Sequence, residues 1–308
     1  MSGHAHIPVL RKQCLQAFDG AEISIFFDGT LGAGGHAQSL LMAHPEIERY
    51  IGCDRDESAL ALATENLAAW QGKLETVHGN FADIDVHLEA CGIKAIDGCL
   101  LDLGVSSMQL DQEERGFSFS KDGPLDMRMD QNERLTAKEI VNTWSKQQLA
   151  KIFSDYGEIK NAQRIAEALC DARRKKPFET TKQLADWAST VMGHSRKKLH
   201  PATLLFQALR IAVNLELESV WQGVVKALNL LRPGGRLAVI AFHSLEDRIV
   251  KNLFRQAARP NYDWNEEKVE GLPEVKLLTK KPLVADFDEV RLNPRARSAK
   301  LRVVEKIG

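Results

Sequence analysis

Three short apolar runs in the first 104 residues each carry an aspartate at or near their end, and Asp28, Asp54 and Asp102 constrain the fold more than any other feature. Ile23 to Asp28, Tyr50 to Asp54 and Ala95 to Leu103 read as strands, and Leu74 to His78 as another. Between them, Ala37 to Ala43 and Glu57 to Trp70 carry helical spacing. Strands alternating with helices predict a parallel sheet covered on both faces. Such sheets bind ligands beyond the carboxyl ends of their strands, where all three aspartates fall.

From about Gln109 the pattern changes. Residues 110–130 are rich in Asp, Gly, Ser and Met and read as a loop, and 133–200 as helices. Thr203 to Leu231 reads as one long helix, followed by an Arg232-Pro-Gly-Gly235 turn, a strand at Arg236 to Phe242 and a helix at Leu245 to Ala258. Late strands are expected near Val275 to Leu278 and Lys300 to Val304. The expectation is an α/β domain made of 1–109 and 210–308, with a loop and an all-helical module, 110–209, inserted between its fourth and fifth strands. Hydrophobic residues make up 44% and charged residues 27%, which excludes a disordered chain. No run approaches the ~18 apolar residues of a membrane span, and no secretory signal is visible at the start. Five cysteines without CxxC spacing read as buried thiols in a reducing cytoplasm.

Asp28-Gly-Thr-Leu-Gly-Ala-Gly-Gly-His36 follows the first strand and opens a helix. Glycines there let the backbone turn sharply and approach a ligand. Gly32-x-Gly34-x-x-Ala37 also satisfies the dinucleotide fingerprint, so the spacing alone leaves NAD open. Asp28 favours S-adenosylmethionine instead: a carboxylate repels a pyrophosphate and suits the cationic amino group of a methionine moiety. Asp54 is placed to accept hydrogen bonds from ribose hydroxyls, or to cap the helix before Glu57. The Pro-Gly-Gly turn before an apolar strand resembles class I S-adenosylmethionine methyltransferases, giving a Rossmann-like fold of that class.

Leu100-Leu-Asp-Leu-Gly-Val-Ser-Ser107 ends the fourth strand, the strand end that faces the methyl group and its acceptor in that class. An exocyclic amine conjugated to a base ring is a poor nucleophile. Asp102 can accept its N–H and raise electron density on nitrogen, or hold the cofactor. The Pro-Pro-aromatic sequence that often follows such an aspartate in amino-group methyltransferases is absent. His243 ends the fifth strand, where it can position the acceptor base, relay a proton, or cap the following helix. No His, Cys or Glu spacing points to a metal.

The chain resembles the RsmH (MraW) family of 16S ribosomal RNA cytosine-N4 methyltransferases. The resemblance rests on His6-Ile-Pro-Val-Leu10, Asp28 to His36, Asp54-Arg-Asp56, Leu101 to Ser107, Arg115-Gly-Phe-Ser-Phe119 and Asp122 to Asp130. It continues through His200-Pro-Ala-Thr203, Phe206 to Ile211, Phe242 to Lys251 and Asn293-Pro-Arg-Ala-Arg-Ser298, in family order over nearly the whole chain. It implies methylation of N4 of one cytidine in the decoding centre of the small ribosomal subunit, near the P site, with S-adenosylmethionine as donor. It implies cofactor contacts at Gly34, Gly35, His36, Asp54, Phe81, Asp102 and Gln109. The opening motif departs from the family at Gln13, where a Glu is usual. A monomer and a homodimer both remain open.

Residues 160–200 hold ten Lys+Arg against four Asp+Glu, with dense points at Arg173, Arg174, Lys175 and Lys176 and at Arg196, Lys197 and Lys198. Two such runs in one inserted module suit RNA phosphates, as do Arg295 and Arg297 in the basic tail. The 112–130 loop is a candidate lid, with Phe117 and Phe119 available to stack on a base or to anchor the loop. The readings that compete are an NAD-dependent oxidoreductase, a DNA cytosine methyltransferase, and a non-catalytic factor that binds ribosomal RNA.

Overall fold

A computed structural model describes residues 8–193, 200–259, 261 and 268–308. Among these residues, seven strands form one sheet: β1 (Ile25–Asp28), β2 (Arg49–Asp54), β3 (Leu74–His78), β4 (Ile96–Asp102), β5 (Leu231–Ala241), β6 (Val275–Leu277) and β7 (Lys300–Lys306). Their order is β3-β2-β1-β4-β5-β7-β6. The first five run parallel, and β7 is antiparallel to β5 and β6. This is the Rossmann-like α/β sheet expected from the sequence. The strand order reverses between β1 and β4, the switch point at which such sheets bind ligands.

Helices α1 (Arg11–Phe18), α2 (Gly35–Ala43), α3 (Glu57–Asn66) and α4 (Ile84–Ala90) accompany the first strands. Then come α5 (Ser107–Asp111), α6 (Ala137–Thr143), α7 (Lys146–Asp155), α8 (Ala162–Lys175), α9 (Thr181–Met192) and α10 (Ala202–Asn214). The chain returns through α11 (Glu216–Leu230), α12 (Ser244–Ala258) and α13 (Phe287–Leu292). It divides into two compact units, one of 1–104 with 217–308 and one of 105–216. The sequence pattern places these junctions at 109/110 and 209/210. No helix among the described residues is long and apolar enough to cross a membrane.

In the sheet unit, successive side chains of the central strands enter two different apolar clusters. Phe26, Leu100, Ala238 and Ile240 join one, and Phe27, Cys99, Leu101, Leu237 and Val239 the other. A strand buried on both faces favours apolar residues throughout. β1 is apolar up to Asp28, and β4 from Gly98 to Leu101. Asp97 inside β4 is buried, with its carboxylate accepting from Ser24 N, Ile25 N and Arg232. Phe26 stacks on Tyr50 at 5.1 Å, and Gly98 makes room for it: a Cβ there would meet the Phe26 ring at 2.5 Å. All five cysteines are free, and only Cys91 is not buried.

Two expectations change. The Arg232–Gly235 turn lies inside β5, looped out between the pairs Ile96↔Leu231 and Gly98↔Arg236. The long helix expected from Thr203 to Leu231 is two helices, because Leu215 takes a left-handed φ of 51°. Asn214 causes the break. Its buried side chain accepts from Met129 N and donates to Met127 O, both at 2.8 Å, in place of continuing an apolar face.

Candidate active site

The glycine loop is fixed by its own backbone. Gly32 has φ 53° and Gly34 φ 83°, conformations that exclude most side chains. A Cβ on Gly34 would lie 2.9 Å from Leu67, so this glycine serves close packing of the loop on the chain after α3. A Cβ on Gly32 would meet nothing closer than 3.9 Å, so that turn faces open space. The Gly32 N–H donates to Asp54 Oδ2 at 2.7 Å, and the Asp56 N–H donates to Asp54 Oδ1 at 2.9 Å. Asp54 therefore ties the loop to the end of β2. Asp56, not Asp54, caps α3 by accepting from Ser58 N. Burial raises the Asp54 pKa, and the backbone N–H donors partly offset it.

The two aspartates that flank the switch point differ. Asp28 is 1% exposed and both its oxygens are used: Oδ2 accepts from Tyr50 Oη at 2.9 Å and Oδ1 from Thr30 N at 3.1 Å. Burial pushes its pKa up to about 6. A carboxylate closed in this way does not reach a ligand's amino group, so Asp28 supports the loop instead. Asp102, at the end of β4, keeps 24% of its side chain exposed, although its Oδ1 is buried and has no hydrogen bond. Its backbone N–H donates to Thr30 Oγ1 at 2.6 Å. His36, on the first turn of α2, approaches Asp102 Oδ2 with Nε2 at 3.5 Å. Burial opposes a charged ring, but Cys14 and Asp102 outweigh it and hold the His36 pKa well above the ordinary value.

Phe81 is half-buried where the chain leaves β3; Cβ atoms on Gly29 or Gly223 would meet it at 2.7 and 2.5 Å. His243 is the N-cap of α12. Its Nδ1 accepts from Glu246 N at 3.4 Å, and the Glu246 carboxylate accepts from His243 N at 3.2 Å. This bond occupies the Nδ1 lone pair and assigns the proton to Nε2, which lies 3.2 Å from Glu246 Oε1. The ring is thus a capping group at the start of α12. Gln109, in the other unit, is 4% exposed and forms a capping box with Ser106 at the start of α5.

The basic candidates separate. Arg173 donates to the carbonyls of Val141 and Trp144 at 2.7 Å, closing the end of α6, so its guanidinium is engaged in packing. Arg174, Lys175 and Lys176 are exposed, with Arg174 paired to Asp171 at 2.9 Å. Arg196, Lys197 and Lys198 lie outside the described residues. In the tail, Lys300 and Arg302 pair with Asp247, Arg295 is half-buried and Arg297 is exposed. The 112–130 loop is packed down. Phe117 is 7% exposed within the core of its unit, and Phe119 lies against His200 and Phe206 at 4.7 and 4.9 Å. Phe117 is not presented for stacking on a base, and Phe119 is partly buried against those two rings. Sequence reasoning does not find Thr30 or Cys14. Thr30 has a signal, its place in the glycine loop; Cys14 has none.

Residues 3–307 match the MraW methylase family. The chain belongs to that family. It is 48% identical to the Ribosomal RNA small subunit methyltransferase H of Geobacter sp. (strain M21), over all of both chains. It is 48% identical to that of Protochlamydia amoebophila (99% of this chain, 98% of the relative) and 46% identical to that of Persephonella marina (98% and 99%). A methylase of this family uses S-adenosylmethionine as its methyl donor. The residues at the switch point fit it: an open glycine turn at Gly32, an Asp54 carboxylate anchored by backbone N–H groups, and an Asp102 carboxylate with an unsatisfied oxygen.

Proposed function

We propose that this methylase modifies the exocyclic N4 of a cytidine in the decoding centre, the P-site region, of 16S ribosomal RNA within the small ribosomal subunit. The reading rests on Asp102, a partly exposed carboxylate at the β4 end of the switch point. The names of the relatives support ribosomal RNA of the small subunit as the substrate. An N4 acceptor is supported by the Asp102 carboxylate, a hydrogen-bond acceptor for an exocyclic amine.

Gly34, Gly35, Asp54, Phe81 and Asp102 are the residues that would hold the cofactor; His36 and Gln109 join that set on the resemblance alone. Bound there, S-adenosylmethionine supplies an electrophilic methyl group on a sulfonium. Asp54 keeps lone pairs beyond those used by Gly32 and Asp56, and these suit hydroxyl donors. Asp102 accepts an N–H of the cytosine amine, orients its nitrogen and raises its electron density; holding the two reactants in place supplies much of the acceleration. No side chain needs to remove the proton beforehand, because the methylated nitrogen loses it to water afterwards. His243 supports the start of α12, beside that strand end, as a cap. The cytidine must leave any stack to reach this site, which costs a few kcal/mol and less for an unpaired base.

The inserted segment, 110–209, is read as the substrate-recognition module. Arg174, Lys175 and Lys176 there, with Arg297 in the tail, are the exposed cations for phosphates. Arg196, Lys197 and Lys198 join them on sequence grounds alone. The test is Asp102→Asn assayed for methyl transfer and for co-sedimentation with small subunits. Loss of about 10²-fold or more in turnover with unchanged co-sedimentation is expected. Full turnover in the variant contradicts the reading.

A further inference from the structure

His36 and Asp102 each bury a polar atom that has no hydrogen bond, Nε2 and Oδ1 respectively. The two side chains face each other, with Nε2 3.5 Å from Oδ2. His36 is 8% exposed, and its Nε2 is buried away from bulk solvent. A buried donor without a partner is costly, and the Asp102 carboxylate faces this one. A small turn of the Asp102 carboxylate brings an oxygen onto the Nε2–H. The exposed part of Asp102 excludes Oδ1. Oδ2, the oxygen toward His36, is therefore also the oxygen that reaches solvent. His36 is itself fixed by its place on the first turn of α2, directly after the glycine loop.

We propose that His36 is a positioning residue that donates from Nε2 to Oδ2 of Asp102 and so sets the plane that the carboxylate presents to the reacting groups. The proposal rests on Asp102 having the role given above, and it assigns His36 a task other than direct contact with the cofactor. The ring is surrounded by Cys14 from α1, Asp28 from β1 and Asp102 from β4. Asp28 is already engaged by Tyr50 and Thr30. Cys14, 1% exposed and with its thiol pKa raised by burial, is the competing partner.

The test is an NMR titration of the His36 ring in the cofactor-free protein, in wild type, Asp102→Asn and Cys14→Ala. With an Asp102 partner, the His36 midpoint falls by about one pH unit or more in Asp102→Asn. If it moves only in Cys14→Ala, or in neither, the pairing is refuted. Turnover gives a second readout. His36→Ala lowers kcat about 10- to 100-fold while the dissociation constant for S-adenosylmethionine stays within a few-fold, and His36→Gln, which keeps an N–H donor, recovers part of the loss. Loss of cofactor affinity in proportion to kcat/KM makes His36 a cofactor contact and overturns the proposal. The titration needs neither cofactor nor RNA, so it fails or succeeds independently of which base is methylated.

Discussion

Asp28 and Asp102 end neighbouring strands and are equally visible in the sequence, yet their surroundings give them opposite tasks. The difference is Tyr50, whose hydroxyl reaches Asp28 from the adjacent strand. Nothing in the spacing of residues 28 and 50 announces that bond; it follows from the register that sets Phe26 beside Tyr50. Asp28 also makes a prediction about pH. Its folded pKa of about 6 lies above the ordinary carboxyl value of 3.8, so the folded chain binds the extra proton between those values. Stability therefore falls as pH rises from about 4 to about 6 and is flat above, with roughly 3 kcal/mol at stake. Urea unfolding at pH 4.5 and 7.5 checks this: Asp28→Asn is expected to remove most of that part of the pH dependence, and identical profiles for variant and wild type count against it. At His243 the sequence leaves a base and a cap open. The reciprocal bond with Glu246 selects the cap, and a Glu three residues after the cap is its visible sign.

Strands are legible as elements because β1 and β4 are buried on both faces and are apolar but for Asp97 and the closing aspartates. Helix boundaries are less so. The break at Leu215 is one left-handed residue in an otherwise periodic apolar run, and leucine gives no warning of it. The aromatic pair of the 112–130 loop escapes for a related reason: a phenylalanine in a polar loop looks the same in sequence whether it meets a base or a core. Phe117 lies in a core, so Phe117→Ala is expected to destabilise its unit by about 3–5 kcal/mol. The measurement is the denaturant midpoint, with small-subunit affinity compared under conditions where the variant is folded. A stable variant with impaired RNA affinity restores the stacking role. Arg173 belongs to the same class. Its bonds to Val141 and Trp144 carbonyls make Arg173→Ala a stability change, expected to lower the melting temperature.

At the scale of the whole chain, the net charge of −1 is a cancellation. Residues 1–109 hold 6 basic and 15 acidic residues, a net of −9; 110–209 hold 17 and 14, a net of +3; 210–308 hold 18 and 13, a net of +5. The acidic segment contains the strand ends of the candidate site and suits a cationic sulfonium, and the basic segments suit phosphates. Charge removal at Arg174, Lys175 and Lys176 is therefore expected to weaken RNA binding across sequences and to flatten its salt dependence, by a slope of about one for each phosphate that is no longer neutralised. Titration of subunit binding at several salt concentrations reports this, and an unchanged slope removes these residues from the interface. The sharpest test of the central claim offers labelled S-adenosylmethionine to unmodified small subunits, intact 70S ribosomes and free 16S RNA, and identifies the labelled nucleoside. Label in N4-methylated cytidine from the decoding centre is the predicted result; label on protein, on another base, or nowhere contradicts it.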